Sequence, residues 1–287
     1  MQATRPVATG AARSSQATSI LPGFRLSLGY AMTYMTLLVL LPLAACVARA
    51  ATLSFSEFAE AVWTERARAA YALTIGASLS SAVICVPLGL LVAWVLVRYR
   101  FPGKRFVDAL VDLPFALPTA VAGLVYSSLY VESGWFGRFL VPLGIQGSYS
   151  RLAIVLVLTF IGLPFVVRAV QPILEDFDAE MEEASACLGA SRLQTFRRVI
   201  LPTLLPALTT GFALAFARGL GEYGSVVFVS GNIPFKTEIA PVLIVAALES
   251  FNYGQAAAIA VVLMAMSLSL LVLINVLERW SKSDALA

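Results

Sequence analysis

The sequence of 287 residues contains no histidine, only three cysteines and few charged residues. Without histidine the chain lacks the commonest zinc ligand and the base of Ser/His/Asp triads and Cys/His dyads, so we expect neither a metal site nor a catalytic site of those kinds. The cysteines, Cys46, Cys85 and Cys187, are scattered, and no disulfide is expected. Charged residues make up 13% of the chain, against roughly 25% in soluble domains, which nearly excludes a water-soluble globule.

The chain also lacks a nucleotide-binding loop. The pattern G-x-x-x-x-G-K-[ST] occurs nowhere, because Gly103-Lys104 is followed by Arg105 and no glycine stands at the required position upstream. The chain therefore cannot hold ATP with a P-loop, and we expect it to bind no cofactor itself. A net charge of +3 is too small to favour nucleic acid as a partner.

Long apolar runs are what the sequence does contain. Hydrophobic residues make up 59% of it and the mean hydropathy is +0.85. A helix that crosses about 30 Å of hydrocarbon needs about 20 largely apolar residues, and backbone groups in lipid must pair within their own segment. Six runs satisfy this length: 26–48, 70–97, 110–131, 152–170, 205–230 and 256–277. The sequence thus predicts an all-α, polytopic membrane protein with six transmembrane helices.

The distribution of basic residues predicts the orientation. If the N-terminus is cytoplasmic, the inside segments hold more than twice as many Arg and Lys residues as the outside segments, so we predict that both termini are cytoplasmic. The first run is too long for a signal-peptide core, which favours a retained span over a cleaved signal; a transit segment is a further alternative. The predicted organisation is a disordered tail over 1–20, a six-span domain over 21–280 and a short tail over 281–287.

The longest segment predicted to be cytoplasmic, residues 171–204, has the pattern of two short helices. Its apolar residues recur at helical spacing, Gly189 ends the first helix, Ser191 and Gln194 form a capping box for the second, and Pro202 is predicted to close it. The first helix is acidic and the second basic, which also suits a pair of helices lying on lipid headgroups. A DNA-binding helix-turn-helix is a poorer interpretation, because membrane spans tether both ends of the segment.

One motif in this segment resembles a known family. Glu183-Ala184-Ser185, then Gly189, then Val199-Ile200-Leu201-Pro202 are similar to the EAA loop of the permease subunits of bacterial ABC importers. Two positions depart from the family pattern: Ser185 stands where Ala is usual and Val199 where Ile is frequent. The resemblance implies that the loop is a coupling helix that docks on an ATPase subunit through Glu183, Ala184, Ser185, Gly189, Leu201 and Pro202.

Further motifs extend the resemblance to the permeases of sulfate/thiosulfate importers within that family. They are Leu21-Pro22-Gly23-Phe24, Arg98-Tyr99-Arg100-Phe101-Pro102-Gly103, Asp112-Leu113-Pro114-Phe115-Ala116-Leu117-Pro118-Thr119, Pro164-Phe165-Val166-Val167-Arg168 and Gly221-Glu222-Tyr223-Gly224. The resemblance implies a MetI-like fold in the bacterial inner membrane and the import of sulfate, with thiosulfate. Molybdate permeases share many of these motifs, so a molybdate or tungstate importer is the alternative substrate class.

The resemblance also implies the partners. They are a second, homologous permease, two copies of a cytoplasmic ATPase that uses ATP and Mg, a periplasmic sulfate/thiosulfate-binding protein and the lipid bilayer. The outer loops over 49–69, 132–150 and 231–255 would receive the ion from the binding protein. A stand-alone channel or membrane enzyme is the alternative from another class, and Gly219-Leu220-Gly221-Glu222 mimics the Gly-x-Gly-Asp of intramembrane aspartyl proteases without a second deep carboxylate.

Two charged residues lie deep in the fifth run, and they are the candidates for a translocation path. Arg218 and Glu222 are spaced i,i+4, which predicts either a mutual ion pair or an anion path in which Glu222 limits the attraction of Arg218. We add Ser225, Thr119, Pro114 and Pro118 to this tentative path, since the prolines are expected to bend or unwind the third run.

Other features of the runs have simpler interpretations. Four glycines of the fifth run, Gly211, Gly219, Gly221 and Gly224, predict close helix packing. Asp108 and Asp112 are expected to be solvated partners of the basic residues Arg98, Arg100, Lys104 and Arg105.

Overall fold

The structure is a computed structural model that describes residues 24–284. The tail predicted over 1–20, the end of the tail predicted over 281–287, and with them both chain termini, lie outside the described residues. The described part is helical, with no strand in residues 24–284. It divides after Ala45 into two compact units, each described by itself.

The helices follow one another through short connections. In chain order they are α1 (Phe24–Met35), α2 (Leu41–Ala50), α3 (Phe55–Val62), α4 (Glu65–Arg98), α5 (Lys104–Val111), α6 (Leu113–Ala116), α7 (Thr119–Tyr130), α8 (Gly137–Leu140), α9 (Arg151–Glu175), α10 (Ala179–Cys187), α11 (Arg192–Thr195), α12 (Leu201–Leu220), α13 (Val226–Ser230), α14 (Ala240–Glu249) and α15 (Tyr253–Asp284). Two π-helical turns, Thr36–Leu40 and Phe196–Ile200, join α1 to α2 and α11 to α12. Across 24–284, five helical stretches are long and apolar enough to cross a membrane.

The third apolar run does not form one long helix. It is divided among α5, α6 and α7, with breaks at Asp112 and at Leu117–Pro118. Pro114 lies in the first turn of α6 and Pro118 precedes α7, so the prediction that the two prolines interrupt this run is confirmed. The longest piece, α7, has 12 residues, which is too short to cross the bilayer as one straight helix.

The fifth run is also broken, and the segment after it contains an unexpected helix. α12 ends at Leu220, and the chain forms α13 only after a bend at Gly221-Glu222-Tyr223-Gly224. The segment predicted as an outer loop, 231–255, contains α14, whose apolar side chains are largely buried. Thr74 of α4 fixes the start of α14, because its hydroxyl accepts a hydrogen bond from the backbone N–H of Ala240 at 2.9 Å.

The centre of the second unit is a packing of α4, α9 and α12. Glycines allow the close approach: a Cβ on Gly89 of α4 would lie 2.6 Å from the Val166 side chain, and one on Gly211 of α12 would lie 2.8 Å from the Val166 backbone. The close packing predicted for Gly211 is confirmed, as it is for Gly219 and Gly224, whereas Gly221 has no neighbour within 4 Å. The buried apolar residues of α4, α9 and α12 therefore pack in one cluster.

Ion pairs mark the two ends of this packing. At the start of α4, Arg66 donates two hydrogen bonds to the buried carboxylate of Glu238, at 2.7 and 2.6 Å. At the end of α4, Arg98 pairs with Glu182 of α10. The C-terminal end of α4 and the segment 171–204 therefore lie at the same end of the bundle, which we call the segment end.

We predict that Gly89→Ala destabilises the protein while Gly76→Ala, on the same helix, does not. The new methyl group at 89 overlaps the Val166 side chain, and overpacking costs about 1–3 kcal/mol. Gly76 has nothing within 4 Å, so alanine there gains up to about 1 kcal/mol of helix propensity. Thermal unfolding of the two purified variants in one detergent checks this, and equal midpoints would contradict the close approach.

Candidate functional site

The two helices predicted within 171–204 are present as α10 and α11, although the segment also includes the last residues of α9 and the first of α12. Asp178 caps α10 by accepting a hydrogen bond from the N–H of Glu180 at 2.9 Å, and Gly189 follows the helix with a φ of +82°. Ser191 and Gln194 form the expected capping box, since the Ser191 N–H donates to the Gln194 side chain at 2.7 Å. The turn signals in this part of the sequence are therefore confirmed.

The second helix does not end at Pro202 as predicted. α11 passes through the π-helical turn Phe196–Ile200 directly into α12, and Pro202 lies in the first turn of α12. The π-helical turn shifts the backbone hydrogen bonds by one residue, so that the N–H of Leu201 bonds to the carbonyl of Phe196. Proline, which has no N–H to donate, is tolerated at the next position for this reason. The segment is thus continuous with α12.

The motif residues of the segment fall into two groups. Glu183, Ala184 and Gly189 are exposed at the tip, beside Leu188, whose side chain is 89% exposed. Ser185 faces inwards, where its hydroxyl lies 2.7 Å from that of Thr195 and donates to the carbonyl of Glu182 at 2.9 Å. Leu201 and Pro202, in contrast, belong to the first turn of α12. α10 and the turn after it therefore present the Glu183 carboxylate and the apolar side chain of Leu188 on one exposed surface.

Arg98, which the sequence analysis did not single out for a role in this segment, holds α10 against α4. Its guanidinium pairs with the Glu182 carboxylate and lies over the rings of Trp94, at 5.2 Å, and Phe177, at 5.8 Å. Trp94 in turn packs edge-on against Phe196 of the π-helical turn, with ring centroids 5.7 Å apart. Arg98 therefore connects α4 with the first half of the segment, and Trp94 connects α4 with the second half. The ion-pair partner of Arg98 is 84 residues away in the chain, so no local pattern points to it.

A second arginine corrects an expectation for Asp108 and Asp112. Both aspartates pair with Arg168 of α9 and not with the basic residues that precede them in the sequence. Arg168 donates to Asp112 at 2.9 and 2.6 Å and to Asp108 at 2.7 Å. The forked guanidinium can serve two carboxylates at once, whereas the nearby lysine and arginine side chains start from the same short helix or from the loop before it. α5 and the start of α6 are thereby fixed to α9.

Most of the candidate path residues meet at the bend between α12 and α13. Arg218 and Glu222 form the expected ion pair, with Nη1 and Oε2 2.5 Å apart. The other oxygen, Oε1 of Glu222, accepts hydrogen bonds from the N–H and the hydroxyl of Ser225 at 2.9 and 2.8 Å. Glu222 is 2% exposed, while the Arg218 side chain is 34% exposed. At the bend, the positive charge of the partly exposed Arg218 is therefore partly balanced by the buried carboxylate of Glu222.

α7 packs directly onto this bend. A Cβ on Gly224 would lie 2.3 Å from the Thr119 hydroxyl, and one on Gly123 would lie 2.3 Å from the Ser225 carbonyl oxygen. Pro118 precedes Thr119 at the start of α7, so it belongs to the same place. Pro114 does not, because it lies in α6, where its neighbour Phe115 packs against Phe165 of α9 with centroids 5.1 Å apart.

A polar residue of α4 that sequence reasoning missed lies beside the bend. The hydroxyl of Ser78 is buried, has no hydrogen-bond partner among the described residues, and would lie 3.0 Å from a Cβ on Gly219. A serine inside an apolar run carries no signal of its own, because serine is common in membrane helices.

Comparison with known proteins identifies the family. Residues 85–283 match the model of the binding-protein-dependent transport system inner membrane component family. The sulfate transport system permease protein CysT of Salmonella typhimurium is 48% identical over 259 residues, which cover 90% of this chain and 94% of that protein. The CysT of Escherichia coli is 47% identical over 259 residues, with 90% and 94% covered, and the probable cysT of Nephroselmis olivacea is 49% identical over 254 residues, with 88% and 89% covered.

Solved structures agree on the fold. A crystal structure of a bacterial alginate ABC transporter, in complex with its alginate pentasaccharide-bound periplasmic protein, contains a chain that superposes with a TM-score of 0.73 at 17% identity, covering 89% of this chain and 93% of that one. A second structure of a bacterial alginate importer gives 0.70 at 19% identity, covering 89% and 96%. With the continuous match to the family model and to full-length relatives, the chain belongs to the family of binding-protein-dependent transport system inner membrane components.

Proposed function

We propose that this chain is the membrane-spanning permease subunit of an ATP-driven importer that moves sulfate, and thiosulfate, into the cytoplasm. The observation that carries the proposal is the identity of nearly half of all aligned residues with proteins named CysT over almost their whole length. The divided third run serves as the remaining span together with the five long helices, which gives six spans with both termini in the cytoplasm. This orientation places the segment end in the cytoplasm, in agreement with the excess of basic residues there.

The chain works in this proposal without a catalytic site or a cofactor of its own. A cytoplasmic ATPase of the CysA type, present in two copies, binds ATP and Mg and docks on α10 through Glu183, Ala184 and Gly189. A second permease of the CysW type completes the path, and a periplasmic binding protein delivers the ion to the outer loops. Movement of α10 reaches α4 through Arg98, and α4 carries it to the bend that holds Arg218.

The bend is suited to an ion that must bind and then leave. A dianion in the membrane needs positive charge, but a site that held it tightly would not release it. Arg218 is partly exposed and supplies the positive charge. Glu222 is buried, and its carboxylate reduces the net charge at the bend. In this proposal Ser225 and Thr119 contribute hydroxyl groups near the same path.

The function is tested by uptake of labelled sulfate in a deletion strain, with and without the restored chain. We expect the chain to restore uptake and expect excess thiosulfate, but not low molybdate, to suppress it. Uptake suppressed by molybdate at low concentration would assign the chain to the molybdate or tungstate importers instead. Undiminished sulfate uptake in a deletion strain that has no second importer would contradict the sulfate assignment.

We predict that exchanging the charges of Arg98 and Glu182 restores transport that either change alone impairs. Arg98→Glu or Glu182→Arg places like charges together and loosens α10, so uptake falls several-fold at normal protein levels. The double variant renews the pair and recovers part of the loss, because the aromatic rings favour a cation at position 98. Uptake and ATPase activity are measured in the same membranes.

The neighbouring carboxylate provides the control for this exchange. Glu183 makes no ion pair within the described residues, so Arg98→Glu is not expected to rescue Glu183→Arg. Rescue of both single changes to the same degree would show that the recovery reflects net charge and not the contact between Arg98 and Glu182.

We predict that Arg218→Gln combined with Glu222→Gln leaves assembly intact and lowers sulfate uptake at least tenfold. Removing both charges avoids the penalty of about 3–5 kcal/mol for a buried carboxylate left unpaired, which Arg218→Ala alone would incur. Yield of the purified complex checks assembly, and the rate of uptake checks the path. Normal uptake in the double variant would limit the ion pair to a structural role.

A further inference from the structure

A groove lies along α4 at the segment end, and the proposed transport function assigns no ligand to it. It has a volume of about 670 Å³ and runs from Pro87 in the middle of the helix to Tyr99 and Arg100 just beyond its end. Its apolar walls are formed by Pro87, Leu90, Leu91, Trp94, Phe101 and Phe196. The residues of α4 that line the groove recur every three or four positions, so the groove runs parallel to the helix axis.

The groove is amphipathic along its length. The stretch from Pro87 to Arg98 rises by about 16 Å at 1.5 Å per residue, which is about the full thickness of one leaflet of the hydrocarbon. Arg100 is the one charged residue among those that line it, and it lies at the end that reaches the membrane surface. A ligand that fits therefore has a long apolar part inside the membrane and an anionic group at its surface.

Further basic residues stand close in the sequence to residues that line the groove. Lys104 and Arg105 follow Arg100 at the start of α5, and Arg197 and Arg198 follow Phe196 in the other wall. None of these five basic residues has an ion-pair partner in the part of the chain that the structure describes. Basic pockets between membrane helices on the cytoplasmic side are suited to anionic lipid headgroups.

We propose that this groove is a binding site for one anionic phospholipid, with an acyl chain along Leu91 and Trp94 and the phosphate on Arg100. Phe196, which forms one wall, also packs against Trp94, so the bound chain would lie against the contact that connects α4 to the π-helical turn. The proposal rests on the presence of a membrane and does not depend on the ion that is transported.

The position of Trp94 allows a direct test by fluorescence quenching. The purified complex is placed in bilayers in which either phosphatidylglycerol or phosphatidylcholine carries brominated acyl chains, at equal mole fraction. The part of the quenching that disappears in Trp94→Phe belongs to Trp94, whichever other tryptophans the complex contains. We expect brominated phosphatidylglycerol to quench Trp94 more strongly, with an apparent preference of about fivefold for each basic side chain that contacts the headgroup.

Two matched variants assign the preference to its residue. Arg100→Gln should lower the preference for phosphatidylglycerol about fivefold, whereas Arg138→Gln, which changes an exposed arginine of the short helix α8, should leave it unchanged. Equal quenching by both lipids in the unchanged protein would overturn the proposal, since the groove would then take any lipid. Absence of quenching would overturn it too, because protein would then cover the groove, and so would a preference that Arg100→Gln leaves unchanged.

Discussion

A carboxylate inside a membrane protein has to be neutralised or hydrogen-bonded, and the bend after α12 is built around that requirement. Glu222 receives a guanidinium on one oxygen and two donors from Ser225 on the other. The Ser225 N–H is available only because α12 has already ended, so the helix break and the satisfied carboxylate depend on each other. The close approach of α7 at Gly123 and Gly224 then shields the carboxylate from lipid and solvent.

α4 connects this bend with the segment 171–204. Ser78, near the middle of the helix, lies against Gly219, and Arg98, at its end, holds Glu182. A helix of 34 residues that packs tightly on α9 and α12 is a stiff element, and stiff elements transmit displacement between distant places. In the proposed importer this gives α4 a share in the coupling that the EAA loop alone does not explain.

Local signals in the sequence predict local features of the structure well. Gly189, the Ser191 capping box and the two prolines of the third run each act within a few residues, and each has the predicted effect. Apolar run length also locates the long helices, but it cannot detect breaks whose cause is tertiary. The bend at Glu222 packs against α7, and the first residue of α14 is hydrogen-bonded to the Thr74 hydroxyl far away in the chain.

Local sequence signals cannot predict long-range ion pairs either, because the partners come from helices that are distant in the sequence. Arg98 and Arg168 both belong to apolar stretches flanked by charge, and several carboxylates are near enough in the sequence to be partners. The choice of Glu182 for one, and of Asp108 and Asp112 for the other, follows from which helix ends meet. The prediction from spacing that Asp108 and Asp112 pair with their sequence neighbours is therefore wrong, because α9 brings Arg168 to both carboxylates.

The π-helical turn Phe196–Ile200 makes the geometry of the segment depend on the number of residues in the chain as well as on their identity. A π turn accommodates one residue more than an α turn, so the helix on one side is rotated by about 100° relative to an uninterrupted helix. Loss of a single residue here would turn Phe196 away from Trp94 without altering a side chain of the contact. A deletion within 196–200 therefore rotates the helix on one side of the turn relative to α12, whereas a substitution there changes a single side chain.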